Sequence, residues 1–138
     1  RLETVSQREL MDVLRVNAAG PVLMVRHYRD LLERGRGRVL NLSSLIGSVS
    51  NKTGGGDYAY AASKAALNIM TRALAADLAP AGIIVIAITP GWVRTDMGGD
   101  HAALSPEESV RGMLSVAARL TPADSGTFVD YQGEPQPW

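Results

Sequence analysis

Three helical stretches alternate along the chain with three short apolar runs. Leu10, Leu14, Val22, Val25, Leu31 and Leu32 keep helical spacing and predict a helix from about residue 6 to about 33. Ser6-Gln7-Arg8-Glu9 opens it as a capping box, with Ser6 as the cap and Glu9 reaching back. Pro21 interrupts this helix. A proline has no amide hydrogen, so the carbonyl four residues earlier, that of Asn17, loses its helical partner. Either the helix simply kinks there, with water on the free oxygen, or Asn17 marks a polar position facing a cavity.

Gly35 and Gly37 punctuate the chain before Val39-Leu40-Asn41-Leu42-Ser43, a predicted strand whose exit is Ser43-Ser44-Leu45-Ile46-Gly47. Residues 47–57 read as a flexible glycine-rich loop. An alanine-rich helix follows over about 57–78, with Leu67, Met70, Leu74 and Leu78 as its apolar stripe. Beyond Gly82, the run from Ile83 to Ile88 is apolar without alternation. That pattern predicts a strand covered on both faces. Thr89-Pro90-Gly91 breaks it. Ser105-Pro106-Glu107-Glu108 caps a further helix to about Leu120, and Thr127–Asp130 is a last short strand before a polar, proline-bearing tail. With right-handed crossovers, this order gives one α/β domain over 1–138, a Rossmann-like doubly wound parallel sheet. Ligands of such sheets bind beyond the C-terminal strand ends, where Ser44 and Pro90-Gly91 lie.

Composition narrows the function classes. Fourteen basic residues balance fourteen acidic ones, giving no bias toward nucleic acid or an anionic membrane. Arg34, Arg36 and Arg38 read as a solvated turn. No apolar run approaches the length of a membrane span, and the first residues lack a secretory pattern. The absence of cysteine excludes disulfides, thiolate catalysis and cysteine-ligated metals. A cytoplasmic location is the expectation. His27 and His101 stand in no metal-binding pattern, the aspartates show no calcium-loop spacing, and no metal is expected. Neither a Gly-x-Ser-x-Gly elbow nor a Gly-x-x-x-x-Gly-Lys phosphate loop occurs.

Candidate chemistry centres on Tyr60 and Lys64, four apart and therefore on one helix face. An ammonium there stabilises phenolate and makes Tyr60 a usable acid or base. Ser44 supplies a hydroxyl that can donate to a carbonyl oxygen. Together these suit carbonyl reduction, with Tyr60 protonating the oxygen, or the reverse with Tyr60 as base. No side chain carries hydride, so a nicotinamide or similar cofactor is required. The plainer alternative leaves Ser44 a loop hydroxyl, Lys64 a solvated charge and Tyr60 a half-buried aromatic.

Four motifs in order resemble the short-chain dehydrogenase/reductase family: Val16-Asn17-Ala18-Ala19-Gly20, Asn41-Leu42-Ser43-Ser44, Tyr60-Ala61-Ala62-Ser63-Lys64 and Pro90-Gly91-Trp92-Val93-Arg94-Thr95-Asp96-Met97. Ser44–Ser48, the glycine-rich insert before Tyr58 and the ending Gly126–Tyr131 are similar to the subgroup of sniffer-type carbonyl reductases and bacterial C-factor. The resemblance implies an NAD(P)-dependent oxidoreductase interconverting a small-molecule carbonyl and an alcohol. In it Asn17 would hold a proton-relay water, Ser44 would orient the carbonyl, and Tyr60 would be the acid/base. Lys64 would lower the Tyr60 pKa and bind the nicotinamide ribose, and Tyr60 would itself contact the cofactor, NAD(H) or NADP(H). The backbone of Pro90, Gly91 and Val93 and the hydroxyl of Thr95 would hold the carboxamide. Trp92, Met97 and a mobile 96–104 segment would line the substrate pocket.

The resemblance covers only the second half of the family fold. The N-terminal dinucleotide-binding βαβ, with its Gly-x-x-x-Gly-x-Gly turn, has no counterpart in these residues. The strand at 39–43 is therefore expected to present an open edge. Three accounts follow: a fragment of a full enzyme, a chain that pairs with a separate N-terminal half or another copy, or an inactive truncated protein serving signalling or assembly. By resemblance, helices 6–33 and 57–79 would form a homo-oligomer interface.

Overall fold

The computed structural model describes residues 2–138. Three strands, β1 (Arg38–Leu42), β2 (Ile84–Thr89) and β3 (Phe128–Asp130), form a parallel sheet in the order β1-β2-β3. The predicted long N-terminal helix is three pieces: α1 (Gln7–Leu14), α2 (Gly20–His27) and α3 (Arg29–Gly35). The alanine-rich helix is α4 (Tyr58–Leu78), and α5 is Pro106–Arg119.

β2 explains the architecture. All six of its residues are buried, because helices cover both faces, as its unbroken apolar run requires. Ile83 and Val85 meet Val25 of α2 and Ala75 and Leu78 of α4. Ile84, Ile86 and Ile88 point the other way, onto Val116 and Leu120 at α5. Ile86 is wholly buried on the second face. Ile86→Ala should cost about 2–5 kcal/mol of stability by urea denaturation, as cavity formation in a closed core does.

β1 is an edge strand among the described residues, and Leu42 at its end is half exposed. Gly37 O accepts from Ile84 N, and Ser43 N donates to Ile88 O, so odd-numbered residues turn their backbone groups toward β2. The N–H and C=O groups of Leu40 and Leu42 therefore face the open side.

Several expectations are refined. Ser6 Oγ accepts from Glu9 N at 3.1 Å, but the reciprocal Glu9 bond is not made, so the cap is one-sided. At α5 the whole box forms, with Ser105 N donating to a Glu108 carboxylate oxygen at 2.8 Å and Glu108 N to Ser105 Oγ at 3.2 Å. Pro21 does more than kink the helix. Residues Arg15–Ala19 form a π-turn, with Gly20 N donating to Arg15 O five residues back, and this wider turn makes room for the proline ring. The tail is not a loose polar end. It bridges Pro135 to Val129, sends Gln136 N to Phe128 O at 2.8 Å, and sets Trp138 beside Phe128 and under the Arg72 guanidinium.

Candidate active site

Ser43, Ser44, Tyr60 and Thr89–Val93 converge on one cleft of about 470 Å³ at the C-terminal end of the sheet. That volume lies within the usual range for small-molecule sites. Thr95, Met97 and Gly98 extend one wall, and Ser109, Val110 and Met113 of α5 the other.

Each element delivers its group for a local reason. β1 ends at Leu42, and the chain leaves it through a 3₁₀ turn, Leu45–Gly47, which Ser44 caps by accepting from Ile46 N at 3.2 Å. Acceptance occupies a lone pair only, so the Ser44 proton remains free to donate into the cleft. Tyr60 stands in the first turn of α4, whose start is forced by Asp57 in the left-handed region at φ 51°. Lys64, one turn on, lies with its ammonium 5.6 Å from the Tyr60 ring centroid.

Lys64 Nζ donates to Leu42 O at 2.7 Å, a carbonyl on the open side of β1. Burial lowers the Lys64 pKa below 10.5, because desolvation penalises the ammonium. The unfolded chain then holds that proton more tightly than the folded one. Stability contributed by this residue rises with pH between the lowered folded value and 10.5. Comparing urea midpoints across that window, Lys64→Met should show a smaller rise with pH than the parent protein. An identical rise would mean that Lys64 is hydrated as in the unfolded chain.

Asn17 and Lys64 do not line the cleft itself. Asn17, in the π-turn, donates from Nδ2 to Ser63 Oγ at 3.1 Å, and Ser63 Oγ donates to the Tyr60 carbonyl at 2.8 Å. It therefore sits behind Tyr60, against α4. Of the kink and the cavity-facing position left open by the sequence, neither is decided by these bonds; they show the side chain supporting the helix that carries the phenol.

Pro90, Gly91, Trp92, Val93, Thr95 and Met97 all line the cleft, and Trp92 and Met97 are exposed at its mouth. The segment expected to be mobile is tied at its base. Leu104 N donates to Trp92 O, Arg94 N to Leu104 O, and the Arg94 guanidinium reaches Ala102 O at 2.9 Å. Within it, Trp92 Nε1 donates to Gly98 O at 2.9 Å, and Gly98 N to Thr95 Oγ1 at 3.2 Å. A Cβ at Gly98 would lie 1.9 Å from Val93 O, so this tight loop requires glycine. The Val93 N–H takes no part in the bridge to Leu104, whose bonds come from the residues on either side. Val93 itself lines the cleft.

Sequence reasoning missed Asn68 and Thr71, both buried on α4. Ser43 Oγ donates to Asn68 Oδ1 at 2.6 Å, and Asn41 Nδ2 to Thr71 Oγ1 at 2.9 Å. Polar residues within an otherwise apolar helix face were the available signal. Among the described residues no cluster of acidic, histidine or cysteine side chains could hold a metal, and no helix is long and apolar enough to cross a membrane.

The profile described as enoyl-(acyl carrier protein) reductase matches residues 1–129. C-signal of Myxococcus xanthus is 43% identical over 138 residues, spanning 99% of this chain and 83% of that protein. The carbonyl reductase Sniffer of D. melanogaster superposes with a TM-score of 0.96 at 35% identity, covering 100% of this chain and 60% of that one. An NADPH-bound carbonyl reductase from chicken fatty liver gives a TM-score of 0.93 at 30% identity, again over 100% of this chain and 60% of the other. The chain thus spans about three-fifths of the solved reductases it matches.

Proposed function

The chain belongs to the short-chain dehydrogenase/reductase family, and from that premise we propose that it interconverts a carbonyl and an alcohol on a small-molecule substrate, with Tyr60 as acid/base. The observation that carries this reading is the convergence of Ser44, Tyr60 and the end of β2 on one cleft. The rim is largely apolar, which suits ketones and aldehydes as a class.

The residues present fit the nicotinamide end of a dinucleotide. The free Val93 N–H, with Pro90, Gly91 and Thr95 around it, suits a carboxamide, and the Lys64 ammonium suits ribose hydroxyls. When bound, NADP(H) or NAD(H) supplies or accepts the hydride. The NADPH in the chicken reductase favours the phosphorylated form.

In the reductive direction Ser44 donates to the carbonyl oxygen and polarises it. As negative charge grows on that oxygen, Tyr60 delivers its proton. Lys64, over the same ring, stabilises the phenolate left behind. Asn17 commits its amide to Ser63 and keeps its side-chain oxygen to hold a relay water behind Tyr60. Alcohol oxidation runs the same groups in reverse.

A homo-oligomer fits the same reading. Met11, Val16 and Ile69 are exposed on the helices of 6–33 and 57–79, and Met11 lines a groove with Ala18, Ala19 and Ala66. The decisive experiment titrates the purified protein with NADPH and NADH by calorimetry and follows cofactor oxidation with a panel of ketones and aldehydes. Saturable binding with turnover is expected. Binding of neither cofactor by the full-length protein sinks the assignment.

A further inference from the structure

Ser44 makes no bond of its own to α4, although the proposed chemistry needs it at a fixed distance from Tyr60. Its side-chain bond is local, accepted from Ile46 N. Something else must set the gap between the turn and the helix. Both flanks of Ser44 lead to one residue. Ser43 Oγ donates to Asn68 Oδ1 at 2.6 Å, and Asn68 Nδ2 donates to Gly47 O at 3.5 Å, a long bond. Ser43 and Asn68 are 3% and 4% exposed, so neither bond is shared with solvent.

We propose that Asn68 is a positioning residue: its amide grips the Ser44 turn at both ends and fixes it to the helix that carries Tyr60 and Lys64. The proposal rests on the reductase reading for its catalytic consequence. Three physical points carry it. Asparagine is a poor helix former, and a buried amide is costly unless both its ends are bonded, so this position is filled against local preference. Second, the amide supplies one acceptor and one donor, and the turn offers one donor at Ser43 and one acceptor at Gly47. A leucine or alanine would fill the space and grip neither flank. Third, Asn68 follows Lys64 by one helical turn and Tyr60 by two, so all three lean along one side of α4. Thr71 provides the internal comparison. It is equally buried and bonds Asn41, but it holds the middle of β1 rather than the turn.

The test compares Asn68→Leu, Ser43→Ala, Ser43→Thr and Thr71→Val in the full-length protein. Amide exchange is read at Ile46, Gly47 and Ser48 against Ile86, with kcat and cofactor KM measured using NADPH and a reactive aldehyde. Asn68→Leu and Ser43→Ala should speed exchange in the turn by at least about tenfold relative to Ile86. In the same variants kcat should fall by about tenfold or more while cofactor KM stays within about twofold. Ser43→Thr, which keeps the hydroxyl, should restore both. Thr71→Val should lower stability without selective loosening of the turn. If Asn68→Leu does not fold, Ser43→Ala decides alone. Turn exchange that follows Ile86 in every variant overturns the clamp, as does wild-type kcat in a variant whose turn has loosened. A parent protein that turns over no carbonyl counts against the reductase reading, and the exchange data still judge the clamp.

Discussion

Tyr60→Phe is expected to lower carbonyl turnover by roughly 10²–10⁴-fold, the range for losing a positioned proton donor. The substitution removes one hydroxyl and keeps the ring. Tyr60 lines the cleft, its ring lies near the Lys64 ammonium, and its backbone carbonyl accepts from Ser63. Phenylalanine retains both. The melting temperature should therefore stay close to that of the parent. Steady-state kinetics beside thermal denaturation checks the prediction. A variant that keeps more than about a tenth of parental kcat would remove Tyr60 from the chemistry, since no other phenol lines the cleft.

What the sequence revealed and what it hid divide along physical lines. Period and capping are local, so β2 was legible from its six apolar residues, and α5 from Ser105-Pro106-Glu107-Glu108. The same logic applied to Ser6 predicts a reciprocal Glu9 bond, and that bond is not made. At Thr121, which sequence reasoning passed over, Thr121 N donates to an Asp124 carboxylate oxygen at 2.7 Å. Proline chemistry pointed to Asn17 but could not choose between a simple kink and a polar position facing a cavity. The partner its side chain takes, Ser63, lies across the interface.

The cleft was legible for a different reason. A parallel sheet gathers its strand ends on one side, so topology alone placed Ser44 near Pro90-Gly91. Asn68 escaped because its partners, Ser43 and Gly47, are 25 and 21 residues away. No helical or strand period reports such a pairing. Trp138 escaped likewise: its contacts with Phe128 and Arg72 exist only once the tail folds back over the sheet.

Gly47→Ala should be damaging although it touches none of the reacting groups. Gly47 is not in the left-handed region, so alanine meets no backbone penalty there. Space is the obstacle. An added Cβ would lie 2.5 Å from Lys64 Cβ, 2.8 Å from Lys64 C and 3.0 Å from Ala65 N. Two of those atoms are helix backbone and cannot rotate aside. The turn must lift from α4, which stretches the Asn68 bond to Gly47 O and carries Ser44 away from Tyr60. A displacement of about 1 Å costs on the order of 10²-fold in rate at a site that depends on alignment. Overpacking adds about 1–3 kcal/mol of lost stability. Gly54→Ala is the matched comparison, since nothing lies within 4 Å of a Cβ there, and it should stay within about 0.5 kcal/mol of the parent. If Gly47→Ala matches Gly54→Ala in both kcat and urea midpoint, the turn tolerates displacement from α4. The geometry of Ser44 would then be set by the substrate and not by the protein.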